Sequence, residues 1–458
     1  MPHAITTDLV DRIKPLVREL VTSHARSLPH LRYADVRMDV SEGKFATAEN
    51  GSVRSSGDDY AFSVGIRVLA GDRMVAPGYF GRGLGAADLD RLEQLLREGL
   101  LTAYRRATAN AEMKASARGK FGSLGDALAD TRLCPIAVHQ EVVPATYTVD
   151  PRTMSLDEMV RFATDVSRQV ASAHAQVRYN FIVAVTQLNR ELFASSEGAL
   201  IDQSFAITQG FSYVVVAGED NSQQLYDVLG HQRGWEILTE GIEEGPITFP
   251  PFVEFSRGLV RDGVELASAP PLPTMDREAT VVTDPHYNTL VSHEIVGHPV
   301  ELDRGLKMET AYAGRSWLLR DLDDHQIGKP VASPLVTAYS DPSLPGYGHY
   351  AYDHEGTPAR RVVHIDRGIF TGFMNSRQTA AIFGGEPNGH WKATSSSLVP
   401  LVRMSNTVFA AGERSPADII AEVDRGYYLV GHRIPSIAES RENFRISARK
   451  VYEIRDGR

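Results

Sequence analysis

Cysteine is almost missing from this chain. One residue, Cys134, among 458 excludes an internal disulfide framework and fits a reducing compartment. In its setting, Arg132-Leu133-Cys134-Pro135-Ile136, it reads as a small apolar packing residue. Long apolar runs are absent too: nothing approaches the ~18 consecutive apolar residues of a membrane-spanning helix. The start, Met1-Pro2-His3-Ala4-Ile5-Thr6-Thr7-Asp8, lacks the basic region and apolar core of a secretory signal, so a cytoplasmic location is expected. Positive charge is in deficit, with 48 Lys and Arg against 58 Asp and Glu and a formal net charge of −10. Neither a nucleic acid nor a membrane is expected as a partner. There is no G-x-S-x-G nucleophile elbow. Gly81-Arg82-Gly83-Leu84-Gly85 has no Walker lysine and reads as a flexible loop.

What is present is enough apolar material, 42% of residues, for more than one core. Leu9, Val10, Ile13, Leu16, Val17, Leu20 and Val21 form one stripe of an amphipathic helix over 9–25. Strands are expected over 33–40, 60–69 and 74–80, and helix over 86–117. Ser155 with Glu158 is a capping-box pattern opening a helix to about His174. Further strands follow at 178–188, 191–195, 204–208 and 211–217, joined in part by the turn Ser195-Ser196-Glu197-Gly198, and then a helix at 231–243. Ala267-Ser268-Ala269-Pro270-Pro271-Leu272-Pro273-Thr274 is the best linker candidate. The expectation is an α+β fold of two domains, 1–270 and 271–458, with mixed or antiparallel sheets and packed helices. The second domain has strands at 335–339, 361–365, 368–375 and 444–454, an irregular stretch at 311–333, and a helix at 415–425.

The most informative stretch is His293-Glu294-Ile295-Val296-Gly297-His298. Neutral imidazoles bind metals, and a neighbouring carboxylate can take a proton from an activated water. The spacing is unusual. Histidines four apart share a helix face, whereas a spacing of five rotates the second by about 140° on an ideal α-helix. Both rings can face one metal only if an extra residue is bulged in, or if the helix ends there. Gly297 marks the cheapest bulge point, single-turn π-bulges recur at functional sites, and Pro299 does not easily continue a regular helix.

Several ordered stretches together resemble the TldD/PmbA family of metallopeptidases. They are His293 through Arg304, Ser340-Asp341-Pro342-Ser343-Leu344-Pro345-Gly346, Tyr352-Asp353-His354-Glu355-Gly356-Thr357-Pro358, Thr371-Gly372-Phe373, Arg403-Met404-Ser405-Asn406-Thr407 and Gly426-Tyr427-Tyr428. Gly65-Ile66-Arg67-Val68 and Ser195-Ser196-Glu197-Gly198 continue the likeness into the first half. The resemblance implies a cytoplasmic subunit that pairs with a TldE/PmbA-like partner or with itself, and that cuts unfolded peptides in an enclosed chamber. It also implies zinc on His293 and His298, and Glu294 as the base.

The family's third ligand, a cysteine near the C-terminus, does not carry over: the only cysteine is Cys134, and the chain ends at Arg455-Asp456-Gly457-Arg458. A hydrolytic zinc wants three protein ligands and an open position. Three explanations stand. Glu301, Asp303, His354 or His432 substitutes, as a third ligand or as an acceptor orienting the imidazoles, with oxygen ligands shifting the preference to another divalent metal or iron. Alternatively, a partner or substrate supplies the group. Or the site is degenerate. Tyr312 is a candidate substrate hydrogen-bond donor or a core aromatic, and Asp353 and Glu355 are either turn residues or substrate-binding groups. The leading expectation is a zinc peptidase. The alternatives are a metal-dependent tailoring enzyme acting on a small peptide-like metabolite, and a non-catalytic subunit.

Overall fold

A computed structural model describes residues 5–120, 122–244, 247–273, 278–308 and 314–458. The fold is α+β, and the chain divides into two compact units. The first comprises Met1–Ala267, Ser343–Ala359 and Ser376–Leu401; the second comprises Ser268–Pro342, Arg360–Asn375 and Val402–Arg458. The chain thus returns twice to the first unit, so a single cut after residue 270 does not describe the division. Among the described residues no helix is long and apolar enough to cross a membrane.

The first unit is built on a seven-stranded sheet. Its elements are α1 (Leu9–Glu19), β1 (Leu31–Glu49), β2 (Ser52–Ala70), β3 (Ala76–Gly83), α2 (Leu92–Ala117), β4 (Gln140–Val143), α3 (Leu156–Ser172), β5 (Val177–Ser195), β6 (Leu200–Ala217), β7 (Ser222–His231) and α4 (Phe252–Ser268). The strand order is β3-β2-β1-β5-β6-β4, with β7 also pairing β6. Only β4 runs parallel to its neighbour. β1 and β2 are far longer than the apolar segments at 33–40 and 60–69. Their outer halves form a ribbon in which β2 is largely exposed from Ser52 to Ala61, so polar residues stand where a loop is expected. The segments expected as 178–188 and 191–195 are one strand.

Alternation gives β1 two different faces. Its even positions Ala34, Val36, Met38 and Val40 pack with α1 and α2, while Ala46 and Ala48 pack with α3 and α4. Its odd positions Asp35 and Arg37 join Arg67 of β2 on the opposite, polar face, all three buried. Helix α3 opens with the anticipated box: Ser155 Oγ accepts from Glu158 N, and Glu158 Oε2 accepts from Ser155 N. The helix expected at 231–243 shrinks to Glu236–Thr239. Glu236 is instead buried as an acceptor for the backbone N–H groups of Thr148, Val149 and Gly234. Gly81 and Gly83 belong to β3 rather than to a flexible loop. A Cβ on Gly81 would lie 1.8 Å from the Ser397 carbonyl oxygen, and one on Gly65 would lie 1.8 Å from that of Ser396. These glycines let the returning segment lie directly on the sheet.

The second unit holds a four-stranded sheet of Ile369–Phe370, Val362–Asp366, Ala338–Ser340 and Thr407–Phe409, and a three-stranded sheet. In the latter, β8 (Thr280–Thr283) runs parallel to β9 (Arg425–Ile437), which pairs antiparallel with β10 (Phe444–Arg455). A short helix, Pro416–Ala421, stands where one is expected over 415–425. The backbone approach at Gly65 makes a clear prediction. Gly65→Ala should destabilise the protein by about 1–3 kcal/mol through overpacking, read as a melting temperature lower by several degrees; an unchanged melting temperature would contradict that close approach.

Candidate metal centre

Helix α5 (Pro285–Val291) leaves directly from the end of β8. Asp284 caps it by accepting from Tyr287 N at 2.7 Å, and Pro285 occupies the first turn, where its missing N–H costs nothing. The same Asp284 oxygen accepts from Gly431 N at 2.9 Å, and Tyr287 Oη donates to the Ile446 carbonyl at 3.1 Å. The helix is therefore tied to both strands of the β9–β10 hairpin.

At Ser292 the helix widens into a π turn that runs to Gly297. The His298 N–H bonds to the His293 carbonyl, an i→i+5 link. This brings the two imidazoles to 4.7 Å between centroids, nearly perpendicular at 84°. Candidate ligand atoms of His293, Glu294 and His298 all lie within 4.8 Å of one another. Gly297 has ordinary helical angles, φ −60° and ψ −55°, so conformational freedom is not what it supplies. A Cβ there would meet the Met404 sulfur at 2.5 Å; the glycine makes room for that side chain. A short 3₁₀ turn, His298–Val300, then ends the element, with Pro299 in its first turn.

The environment suits a metal-binding pair. His293 is exposed, yet partial desolvation by its surroundings, helped by His298, lowers its pKa. It therefore stays neutral near pH 7, as a ligand must. His298 Nδ1 lies 3.1 Å from Glu301 Oε2. Arg304 Nη2 also lies 3.0 Å from Nδ1; in the tautomer with the proton on Nδ1, donation to Glu301 would leave Nε2 to ligate, with the carboxylate as the usual outer partner of a metal-bound imidazole. Glu301 is fully buried. Burial would raise its pKa, but His298, Arg304 and Arg403 hold it below the usual carboxylate range. Arg304 Nε donates to the same oxygen at 3.1 Å and Arg403 Nη1 at 3.4 Å. The two imidazoles, one of them oriented from behind, are ligands of the kind zinc takes and supply two of the three that a hydrolytic zinc uses.

The other candidates lie elsewhere or are already engaged. Asp303 Oδ2 accepts from Val402 N and Oδ1 from Arg304 N, both at 2.8 Å. Burial, with the Glu301 charge, pushes its pKa up to about 7; it clamps backbone, and a role as ligand is corrected to that. His432 packs its ring 4.7 Å from that of His286. Among the described residues, neither of these, nor any other His, Cys, Asp or Glu, joins the group of 293, 294 and 298. Tyr312 lies outside the described residues.

His354, Asp353 and Glu355 belong to the first unit. His354 Nδ1 accepts from Ala393 N at 3.1 Å, so Nε2 carries the proton and faces Glu191 at 3.1 Å. Both nitrogens are committed, and a ligand role is corrected accordingly. Asp353 accepts from the backbone N–H groups of Glu355, Thr357 and Trp391. Glu355 accepts from Arg67 at 2.8 Å and from Arg377 N at 2.7 Å. Arg67 also donates to Asp35 at 2.7 Å and lies 4.1 Å over the Trp391 ring, while Arg377 makes a two-pronged bond to Glu197. With Asp353 2% and Glu355 1% exposed, the expected substrate contact is corrected: these carboxylates hold the returning segments on the polar face of the sheet.

One residue at the centre has no mark in the sequence. Arg441, in the β9–β10 turn, pairs its Nη1 with Glu294 Oε2. Only the turn geometry brings a residue 147 positions away onto the motif.

Fold and site together define an α+β protein with a two-histidine turn that could hold a metal. Residues 276–458 match the family model described as the PmbA/TldA metallopeptidase C-terminal domain. A "Metalloprotease" of Methanothermobacter thermautotrophicus is 30% identical over 64% of this chain and 61% of its own. A "Zinc metalloprotease TldD homolog" of Saccharolobus solfataricus is 24% identical over 65% of this chain and 62% of its own. The match thus spans less than two thirds of either relative's length. The solved structure of TldE from Thermococcus kodakarensis shares the fold, with a TM-score of 0.67 at 18% identity over 97% of this chain and 88% of that one. Residues 276–458 are thus similar to the C-terminal domain of the TldD/PmbA metallopeptidases, and the chain shares the fold of TldE.

Two predictions follow from the geometry. Glu301→Gln should lower zinc affinity about 10- to 100-fold by loosening His298, measured by competition with a chromogenic chelator; unchanged affinity would remove Glu301 from the site. Glu355→Gln should cost about 3 kcal/mol of stability by uncompensating Arg67 while leaving zinc uptake intact; loss of zinc at full stability would refute the structural role.

Proposed function

We propose that the chain is the metal-bearing subunit of a zinc-dependent peptidase that cuts extended, unfolded peptides. The observation that carries this reading is the π turn that gathers His293, Glu294 and His298. The similarity to the zinc metalloprotease TldD homolog of Saccharolobus solfataricus supports zinc as the metal. His293 and His298 would hold it. Zinc, when bound there, supplies Lewis acidity that makes water acidic enough to lose a proton near neutral pH.

Glu294 then accepts the proton of the attacking water. The water oxygen bonds to the scissile carbonyl carbon, and the carbonyl π pair moves to its oxygen. Collapse breaks the C–N bond, and Glu294 returns the proton to the leaving amine. Glu301 keeps the His298 ring in one tautomer and orientation throughout. A substrate bound by β-addition to an open strand edge would be read through its backbone, with little sequence selectivity. The third donor comes from a partner or the substrate. The similarity to this family, with TldE among the structural neighbours, supports a TldE/PmbA-like subunit or a second copy as that partner, an enclosed chamber, and a cytoplasmic setting.

The two-imidazole donor set also favours one other reading: a different divalent metal and a tailoring reaction on a small peptide-like metabolite. Metal analysis separates the two. The peptidase reading expects about one zinc per chain, lost in His293→Ala, and hydrolysis of unfolded casein. Glu294→Gln should slow turnover by roughly 100- to 10,000-fold with zinc retained. Undiminished turnover in that variant would remove Glu294 as the base, and iron in place of zinc would favour tailoring.

A further inference from the structure

Resting on the reading of His293 and His298 as zinc ligands, we propose that Arg304 is a positioning residue that latches His298 in a form unable to bind metal. Its guanidinium occupies Nδ1 of the ring while the site is empty, and yields Nδ1 to Glu301 when a metal binds. His298, Glu301, Arg304 and Arg403 all belong to the second unit.

Four nitrogens crowd one oxygen. Glu301 Oε2 has His298 Nδ1 and Arg304 Nε each at 3.1 Å and Arg403 Nη1 at 3.4 Å, and Arg304 Nη2 bonds to it as well. A carboxylate oxygen has lone pairs for about two such partners. Yet the other oxygen, Oε1, is buried with no hydrogen-bond partner, and so is Arg304 Nη1. Arginine and carboxylate frequently pair fork to fork, two nitrogens on two oxygens. Here both side chains are fully buried and in contact, and they forgo that arrangement.

The ring accounts for the departure. Arg304 Nη2 lies 3.0 Å from His298 Nδ1, as near as Glu301 does. A ring nitrogen accepts when bare and donates when protonated, and it has one in-plane position for either. Nδ1 therefore serves Arg304 or Glu301, never both. If it accepts from Arg304, the proton of the neutral ring is on Nε2, and neither nitrogen has a lone pair left for a metal. If it donates to Glu301, the proton is on Nδ1 and Nε2 is open. Exchange takes one proton off Nε2 and places one on Nδ1, with no change in ring charge. The unused Oε1 and Nη1 complete the second arrangement: Arg304 and Glu301 pair fork to fork, and Oε2 is left to the ring.

The backbone need not move. Leu302 N bonds to the Met374 carbonyl at 3.1 Å, and Met374 N to the Val300 carbonyl at 2.8 Å. The change is confined to three side chains on a fixed support, which makes a two-position element that metal binding biases.

Two measurements on the full chain test the latch. The first is histidine-nitrogen NMR of isotope-labelled protein, in which bare and protonated ring nitrogens separate, with His298 assigned from His298→Gln. Wild type stripped of metal should carry the proton on Nε2, and zinc should move it to Nδ1. The second is zinc affinity, by chelator competition, of Arg304→Lys. Lysine keeps a charge beside Glu301 but lacks the terminal nitrogen that reaches Nδ1. Affinity should rise about 10-fold, the worth of one hydrogen bond to a charged group, at an unchanged melting temperature. A residue that merely supported Glu301 would give a fall instead. A fall, or an affinity within twofold of wild type, overturns the proposal. So does a proton on Nδ1 in metal-stripped wild type, a result that depends on no variant folding. A wild type whose His293 and His298 signals do not respond to zinc rejects the metal site itself, and this inference with it.

Discussion

The hydrogen bond from His298 N–H to the His293 carbonyl closes a turn one residue wider than an α-helix allows. In regular helix the two rings would diverge by about 140°, and no arrangement of neighbours could return both to one metal. The wider turn makes them adjacent. It needs support, because isolated π turns are rarely stable. The support is visible on each side: a capped α5 before it, a proline-bearing 3₁₀ turn after it, and the Met404 sulfur seated where Gly297 leaves space. Each device is modest, and together they over-determine the turn.

Buried charge is the second constraint, and both units handle it alike. Glu301 is enclosed by Arg304, Arg403 and His298; in the other unit Arg67 is enclosed by Asp35 and Glu355. Buried ion pairs add little net stability over apolar packing, yet losing one partner costs several kcal/mol. Their value is geometric. Glu301 fixes a ring orientation, and Glu355 pins a returning segment against the sheet. A carboxylate in either place is therefore no sign of catalysis, even when it stands within a motif.

This explains what could be read in advance. The histidine spacing, with Gly297 and Pro299, was legible because helix geometry leaves few ways to reconcile five residues with one metal. The capping box at Ser155 and Glu158 was legible because it is purely local. The outer ribbon of β1 and β2 was not, since strands with little to bury lose the apolar alternation that announces them. Helix α4 escaped, although Phe252, Leu259, Val260, Gly263 and Ala267 form its buried face. Asp353 and Glu355 were ambiguous because composition does not report burial, and Arg441 was invisible because only a tertiary turn places it.

The charge balance at the centre has a consequence of its own. Three arginines, 304, 403 and 441, stand against Glu294 and Glu301, with Asp303 nearby pushed up to about 7 by burial and the Glu301 charge. The surplus that remains does not favour a dication, so the ring geometry would have to hold one. The same surplus favours any group on which negative charge accumulates. A centre with more acidic residues would gain metal affinity and lose that preference. On the peptidase reading, the arrangement would place the weight of metal binding on two imidazoles and leave the local field to act on developing negative charge, which is where differential stabilisation changes a rate.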